Sequence, residues 1–409
     1  MDSGMRIIYS VDKAAVLAFS KVPRCCLIVK TLYGGLAEAI CEELFSNVVP
    51  THFQTGTHKR GDHVKDKFCR LSESHFIARC PPVVSSLKGC PQFERNYDPY
   101  IMPDVILQAS SKTADRSRKR KAQSLDGDEG IYWRINWQRF DSYIRDEVTL
   151  ELLVPKASHL VTQTIRSLLK ANEIRTSPVA TINSAPISLF DIMRAVKENE
   201  LGIEKSDLEK TLKILAEESH GVVRKSGESG GGLYIIDFEA AIEQICQYHI
   251  ESLIREQLEY RAVRIFRLLQ QKGYLEEDQI EKLTMMSGKE TRELLYAMLE
   301  EGYVFTKPIG RTNDFAPART FVLYHVDLPQ TVRSLIEYTC KMLRNIVLRR
   351  AFEAKEHRQL IEQMYLSAAD RLALEKYRRA QTVLNAAETE CERGLFAFRL
   401  FIEFSRRKC

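Results

Sequence analysis

Residues 206–237 read SDLEKTLKILAEESHGVVRKSGESGGGLYIID, and the order of patterns within them decides the fold. Leu208, Leu212 and Leu215 recur at helical spacing with acids on the polar face, which predicts an amphipathic helix. Glu217 and Glu218 lead into a turn at His220 and Gly221, and residues 222–225 (VVRK) predict a short strand. The glycine-rich stretch 226–232 predicts a turn, and 233–236 (LYII) the return strand. Such a hairpin is marginal on its own, so it must pack against helices to persist.

The same order recurs. At 287–326, Leu294, Leu295, Met298 and Leu299 line a helix that Gly302 ends. Tyr303, Val304 and Phe305 predict a strand, 307–318 a long turn with Pro308, Gly310 and Pro317, and 320–326 the return strand. A weaker copy at 64–80 places Phe68, Leu71 and Ser72 on a helix before a strand at Phe76, Ile77 and Ala78. Its return strand is expected at 130–133 (GIYW), beyond a long insertion. Two further helices precede each clear copy, at 158–175 and 188–198, and at 238–272 and 276–283. Ser188 and Asp191 predict a capping box in which Asp replaces the usual Glu. Three helices closed by a two-stranded hairpin make a winged helix.

The last eighty or so residues differ. Leu335, Tyr338, Met342 and Ile346 step by three, four and four, and apolar residues continue at helical spacing to Leu384. No proline follows Pro329, and Ser367, Ala368 and Ala369 offer a reversal point, so two long antiparallel helices are expected. A strict heptad is not sustained, which favours a hairpin over a long free coiled coil.

Composition sets the outer limits. The 409 residues, 44% apolar and 28% charged, suit several soluble domains. No run of 18 apolar residues occurs, so no membrane partner is expected, and the first ten residues lack the layout of a secretory signal. Ten scattered cysteines without a Cys-x-x-Cys read as reduced thiols of a cytosolic or nuclear protein. The net charge of +5 hides two basic segments, 112–121 and 329–409, on an acidic body.

The stretch from Lys225 to Gly232 invites a phosphate-loop reading, but a strand follows where a Walker loop requires a helix. It is read as the tip of a wing, with Arg224 and Lys225 beside it available to a nucleic-acid backbone. The segment 110–129 is an exposed loop or linker containing Arg116, Arg118, Lys119, Arg120 and Lys121. That run reads first as a nuclear import signal, then as a DNA contact, then as a solvated loop. His75, Cys80 and Cys90, and the trio His52, His58 and His63 assigned to one loop, lack the ligand spacing of a zinc site. With no nucleophile–base motif either, neither cofactor, metal nor catalysis is expected. The helices in the groove-reading position, 206–219 and 287–301, each carry net −2. Phosphate contact dominates nucleic-acid affinity, so these helices are suited to protein docking and DNA contact falls to wings and loops.

Several colinear strings carry a resemblance. Residues 130–133 with Arg139-Phe140 and Arg145-Asp146, then 223–234 (VRKSGESGGGLY), 264–268 (RIFRL), 316–321 (APARTF) and 349–356 (RRAFEAKE) resemble the winged-helix subunit of the RNA polymerase III initiation heterotrimer, itself similar to transcription factor IIE alpha. The resemblance implies a non-catalytic nuclear subunit with four extended winged helices and a C-terminal coiled coil. Its implied partners are two heterotrimer subunits, the polymerase clamp, and DNA held non-specifically, single- or double-stranded. Its implied role is to assist promoter opening for synthesis of transfer RNA and 5S ribosomal RNA. The expected fold is mainly α with small β wings. Its expected parts are a remnant of a first winged helix at 1–15, retaining the strand Ile7-Ile8-Tyr9, and a second winged helix at 16–157 with the basic insertion at 109–129. A third at 158–237, a fourth at 238–328 and a helical hairpin or coiled coil at 329–409 complete it. The second module departs from the pattern in being short before Val64, where Pro50, His52 and Gly56 read as loop. The C-terminal helices are also shorter than the family's. The alternative is a winged-helix scaffold of a proteasome-lid-like or signalosome-like complex.

Overall fold

The computed structural model describes residues 10–11, 13–46, 49–50, 58–81, 83–87, 90–93, 97–100, 132–153, 159–173, 182–198, 204–218, 221–310, 320–363 and 367–407. They divide into two compact units, Met1–Asp146 and Glu147–Cys409. The strand expected at Ile7, Ile8 and Tyr9 lies outside the described residues.

In the first unit, α1 (Lys13–Ala18) leads to α2 (Val22–Tyr33), α3 (Gly35–Ser46), β1 (Val49–Pro50), α4 (His58–Glu73) and β2 (Ile77–Arg79). A hairpin of β3 (Val83–Leu87) and β4 (Cys90–Phe93) follows, then β5 (Tyr132–Ile135) and α5 (Trp137–Leu153), within which the unit ends. The wing is a three-stranded antiparallel sheet in the order β1-β5-β2, with Ile77 opposite Ile135 and Arg79 opposite Trp133. Its inner face closes on the helices: Trp133 meets Phe68 edge-on at 5.0 Å, and Phe76 packs on Phe140 at 4.8 Å. The return strand expected at 130–133 is thus the strand 132–135; Gly130 and Ile131 lie outside the described residues. Pro50 is not in a loop but pairs with Tyr132 in β1, an edge strand where a missing N–H breaks no ladder. His58 and His63 are not loop residues either, because α4 starts before Val64; His52 and Gly56 lie outside the described residues. The β3–β4 hairpin was not foreseen.

The second unit contains the pattern twice in complete form. First come α6 (His159–Glu173), β6 (Ile187–Ser188), α7 (Leu189–Glu198), α8 (Lys205–Glu218), β7 (Val223–Gly227) and β8 (Leu233–Ile236). The sheet order β6-β8-β7 matches that of the first unit's wing. Leu208, Leu212, Ile192, Val196, Val223 and Ile236 are all buried, so the helical and strand periodicities point into one core. Ser188 Oγ accepts from the Asp191 N–H at 3.3 Å and donates to the Asp191 carboxylate at 2.6 Å. The shorter acid therefore meets the capping hydroxyl at the start of α7.

The second pass uses α9 (Phe238–Lys272), α10 (Glu277–Thr284), α11 (Gly288–Glu300), β9 (Phe305–Gly310) and β10 (Thr320–His325). Its first strand is reduced to one bridge, Leu275 with Tyr324. β9 continues through Pro308 to Gly310, where a turn was expected. Proline is tolerated because the wing has only two strands, each an edge. α9 is not one rod. Glu259, at φ 69° and ψ 174°, breaks it into two arms, and Glu251 and Arg267, equidistant from the break, join across it at 2.5 and 2.8 Å. α12 (Leu328–Glu356), α13 (Arg358–Glu362) and α14 (Ala368–Arg407) form the C-terminal hairpin. Its antiparallel sense shows in Arg350 bonding Asn385 and Glu388, and in His357 stacking on Tyr377 at 5.1 Å. Near the end of α14, Leu395–Phe398, Leu400–Ile402 and Phe404 are buried, and Phe398 lies edge-on to His249 of the first arm of α9.

Candidate nucleic-acid interface

The β7–β8 wing shows why its glycines are there. Gly231 and Gly232 have φ of 84° and 118°, a region other residues adopt only under strain. A Cβ on Gly231 would lie 3.1 Å from Leu189 Cδ2, and one on Gly232 would lie 3.1 Å from the Tyr234 ring. The Leu189 N–H donates to the Gly232 carbonyl at 3.1 Å, so the tip is fastened to the start of α7. A strand, not a helix, follows. The loop is a structural turn with no helix N-terminus to hold a phosphate.

The two cations beside it differ. Arg224 is half exposed, and its Nη2 donates to Asp237 and, at 3.4 Å, to Asn183 Oδ1. Asp237 is mostly covered; its other oxygen accepts from the Ala240 N–H at 3.0 Å and so caps α9. One carboxylate therefore ties wing to helix and pins the half-exposed guanidinium through Nη2. Lys225 pairs with Glu228 at 3.2 Å, but that carboxylate is 91% exposed, and an exposed pair of this kind is readily exchanged for another anion. Arg116, Arg118, Lys119, Arg120 and Lys121 lie outside the described residues.

Most cations on the helices in the groove-reading position have a carboxylate near them, Lys213 excepted. On α8, Lys205 lies 3.8 Å from Glu209 and Lys210 lies 3.6 Å from Asp207. On α11, Lys289 faces Glu293 at 3.9 Å and Arg292 bonds Glu277 at 2.8 Å, while Glu290 is taken by Arg261. These exposed pairs would exchange as readily as that of Lys225; what disfavours phosphate at either helix is the net −2 that each carries.

Other chemistry is structural. Burial pushes the Cys26 thiol up to about 11 and Cys41 to about 12, so both keep their protons at neutral pH and act as small core residues. Among the described residues no group of three or more His, Cys, Asp or Glu is placed to hold a metal. His75 instead stacks on Tyr100 at 3.8 Å. Sequence reasoning missed the exposed rings of Phe321 on the β9–β10 wing and Tyr274 beside it, because strand alternation is hard to read through a proline and an overestimated turn.

Comparison with known proteins now bears on the whole chain. The DNA-directed RNA polymerase III subunit RPC3 of Rattus norvegicus is 30% identical over 98% of this chain and 86% of its own length. The chain belongs to the RPC3 family. The Danio rerio RPC3 is 32% identical over 87% of the chain and 72% of its own length. A family model for RNA polymerase III subunit RPC82 matches residues 93–245, and one for the C-terminal winged-helix domain of POLR3C matches 250–326. The strings that carried the resemblance to this family divide between core and surface: most of 224–231 and all of 349–356 lie at least partly exposed, while others are internal. Trp133 and Phe140 are buried, Arg145 donates from Nε and Nη2 to the same Asp146 oxygen at 3.0 and 2.8 Å, and Arg139 sits over Phe76 at 4.9 Å. These internal members preserve the fold.

Proposed function

We propose that the chain acts as a non-catalytic subunit of RNA polymerase III, a scaffold that joins partner subunits and assists promoter opening for small-RNA synthesis. The observation that carries this is membership of the RPC3 family across nearly the whole chain. Groove-position helices that each carry net −2 support docking over sequence reading. The partners follow the resemblance: two heterotrimer subunits and the polymerase clamp, with the nucleus as the working compartment. No observation favours a proteasome-lid-like or signalosome-like assembly. Affinity purification of the tagged chain from nuclear extract should recover polymerase III subunits; recovery of the chain without any of them contradicts the reading.

DNA contact is proposed at Arg224 and Lys225, and along Arg116, Arg118, Lys119, Arg120 and Lys121, as backbone neutralisation without base reading. The last five also serve as the import signal in this reading. Replacing Arg224 and Lys225 together by Gln removes two charges without setting a new acid beside Asp237. The slope of log affinity against log salt should flatten by about 1.5. An unchanged slope rejects the two residues as phosphate contacts.

A further inference from the structure

Several serine side chains help to hold this fold together. Ser188, Ser287 and Ser367 cap helices, and Ser74 and Ser405 donate to carbonyls four residues back. Ser226 does neither. It stands exposed near the end of β7, and its hydroxyl takes no partner among the described residues. The strand register accounts for its position. Lys225 is opposite Tyr234 and Gly227 is opposite Leu233, so Ser226 is the extra residue of a β-bulge, with no residue across from it. The sheet order β6-β8-β7 makes β7 an edge strand, so the bulge is open to a second chain on its free side.

The residues before Ser226 select the chemistry. Arg224 and Lys225 immediately precede it, the first half exposed on Asp237 and the second in an exposed pair with Glu228. Two cations ahead of an unbonded hydroxyl, on an extended edge strand, are the charge pattern that a serine kinase with an acidic substrate groove reads. Two other exposed serines nearby in sequence lack it. Ser206 follows a single cation, Lys205, and lies in helix α8, where the backbone is not extended. Ser229 follows an acid, Glu228.

We propose that Ser226 is a phosphorylation site for a serine kinase guided by Arg224 and Lys225. A carboxylate of the kinase takes the hydroxyl proton and the freed oxygen bonds to the γ-phosphorus of ATP. The bond from that phosphorus to the bridging β–γ oxygen breaks, releasing ADP. The product carries about −1.5 to −2 at neutral pH, enough to cancel the two neighbouring cations. Phosphorylation thus switches off the wing as a DNA contact, an effect that rests on the reading of Arg224 and Lys225 given above, while the site itself does not.

Phosphate is mapped by peptide mass spectrometry on the full chain recovered from cells with phosphatases inhibited. Labelling rates are measured on the purified chain with ATP and protein kinase A or protein kinase C, both of which read cations before the acceptor. Ser226 should carry phosphate ahead of Ser206 and Ser229. Lys225→Gln should slow labelling, and Arg224→Gln with Lys225→Gln should slow it about tenfold or more. Circular dichroism melts check folding, and Lys225→Gln alone breaks only an exposed pair, so the test holds even where loss of Arg224 loosens the Asp237 cap. Absence of phosphate from Ser226 in cells, or unchanged rates in both Gln variants, overturns the proposal. Duplex binding across a salt series separates the two readings. The phosphorylated chain should show a slope flatter by about 1.5, as the double Gln variant does. A labelled chain with an unchanged slope would leave Ser226 as a modification site and reject Arg224 and Lys225 as phosphate contacts.

Discussion

Arg145 and Asp146 show what a single pair can decide. Arg145 is 3% exposed, and burial pushes the Asp146 carboxyl above its ordinary value while the guanidinium opposes that rise. Arg145→Met leaves the carboxylate with only the weaker attraction of Arg139, and denaturant unfolding should show a loss of about 3–5 kcal/mol at neutral pH. A raised folded pKa means stability is present at low pH and is lost as pH rises through it. The variant's deficit should therefore shrink on acidification towards pH 5; a deficit that stays constant refutes the assignment. At the wing tip, Gly232→Ala should cost about 1–3 kcal/mol by forcing a side chain into a positive-φ position against Tyr234. The glycines were legible because only a turn tolerates three in a row before a strand. The burial of Arg145 was not, since neighbouring opposite charges look the same in sequence on a surface or in a core.

The informative element is α9. Its apolar pattern runs on through Glu259, so the sequence predicted one helix, and nothing local in the residue type announces a break. Tertiary contacts impose it. Tyr303 Oη donates to Gln257 at 2.5 Å, Gln257 donates to Tyr338 Oη at 3.2 Å, and Arg261 is held by Glu290 on the far side. The clamps hold Glu259 in a conformation natural only to glycine, at a cost of about 1–3 kcal/mol. Glu259→Gly should therefore stabilise the protein by about 1 kcal/mol in chemical denaturation, after allowing for the greater freedom of glycine in the unfolded chain. A destabilised variant would show that the strain is not there. The same logic explains the other misses among elements. β1 and β6 have two residues each, too short for periodicity to register, and exist because a neighbouring strand offers partners. The long helices and the reversal near Ser367 were legible because their patterns span many turns.

Across the molecule, repetition of one pattern made the winged-helix architecture readable, and charge bookkeeping argues that the helices at 206–219 and 287–301 stay out of a groove. What remained hidden was which faces the strands turn outward, because that depends on register. The account makes this protein a device of surfaces, assisting a reaction carried out elsewhere in its assembly. Transcription of a transfer RNA gene in extract depleted of the chain tests that most directly, using a closed duplex template and one with the start region already unpaired. Activity should fall on the closed template, return on adding back the chain with its partners, and largely survive on the pre-opened one. An equal loss on both templates would contradict the account.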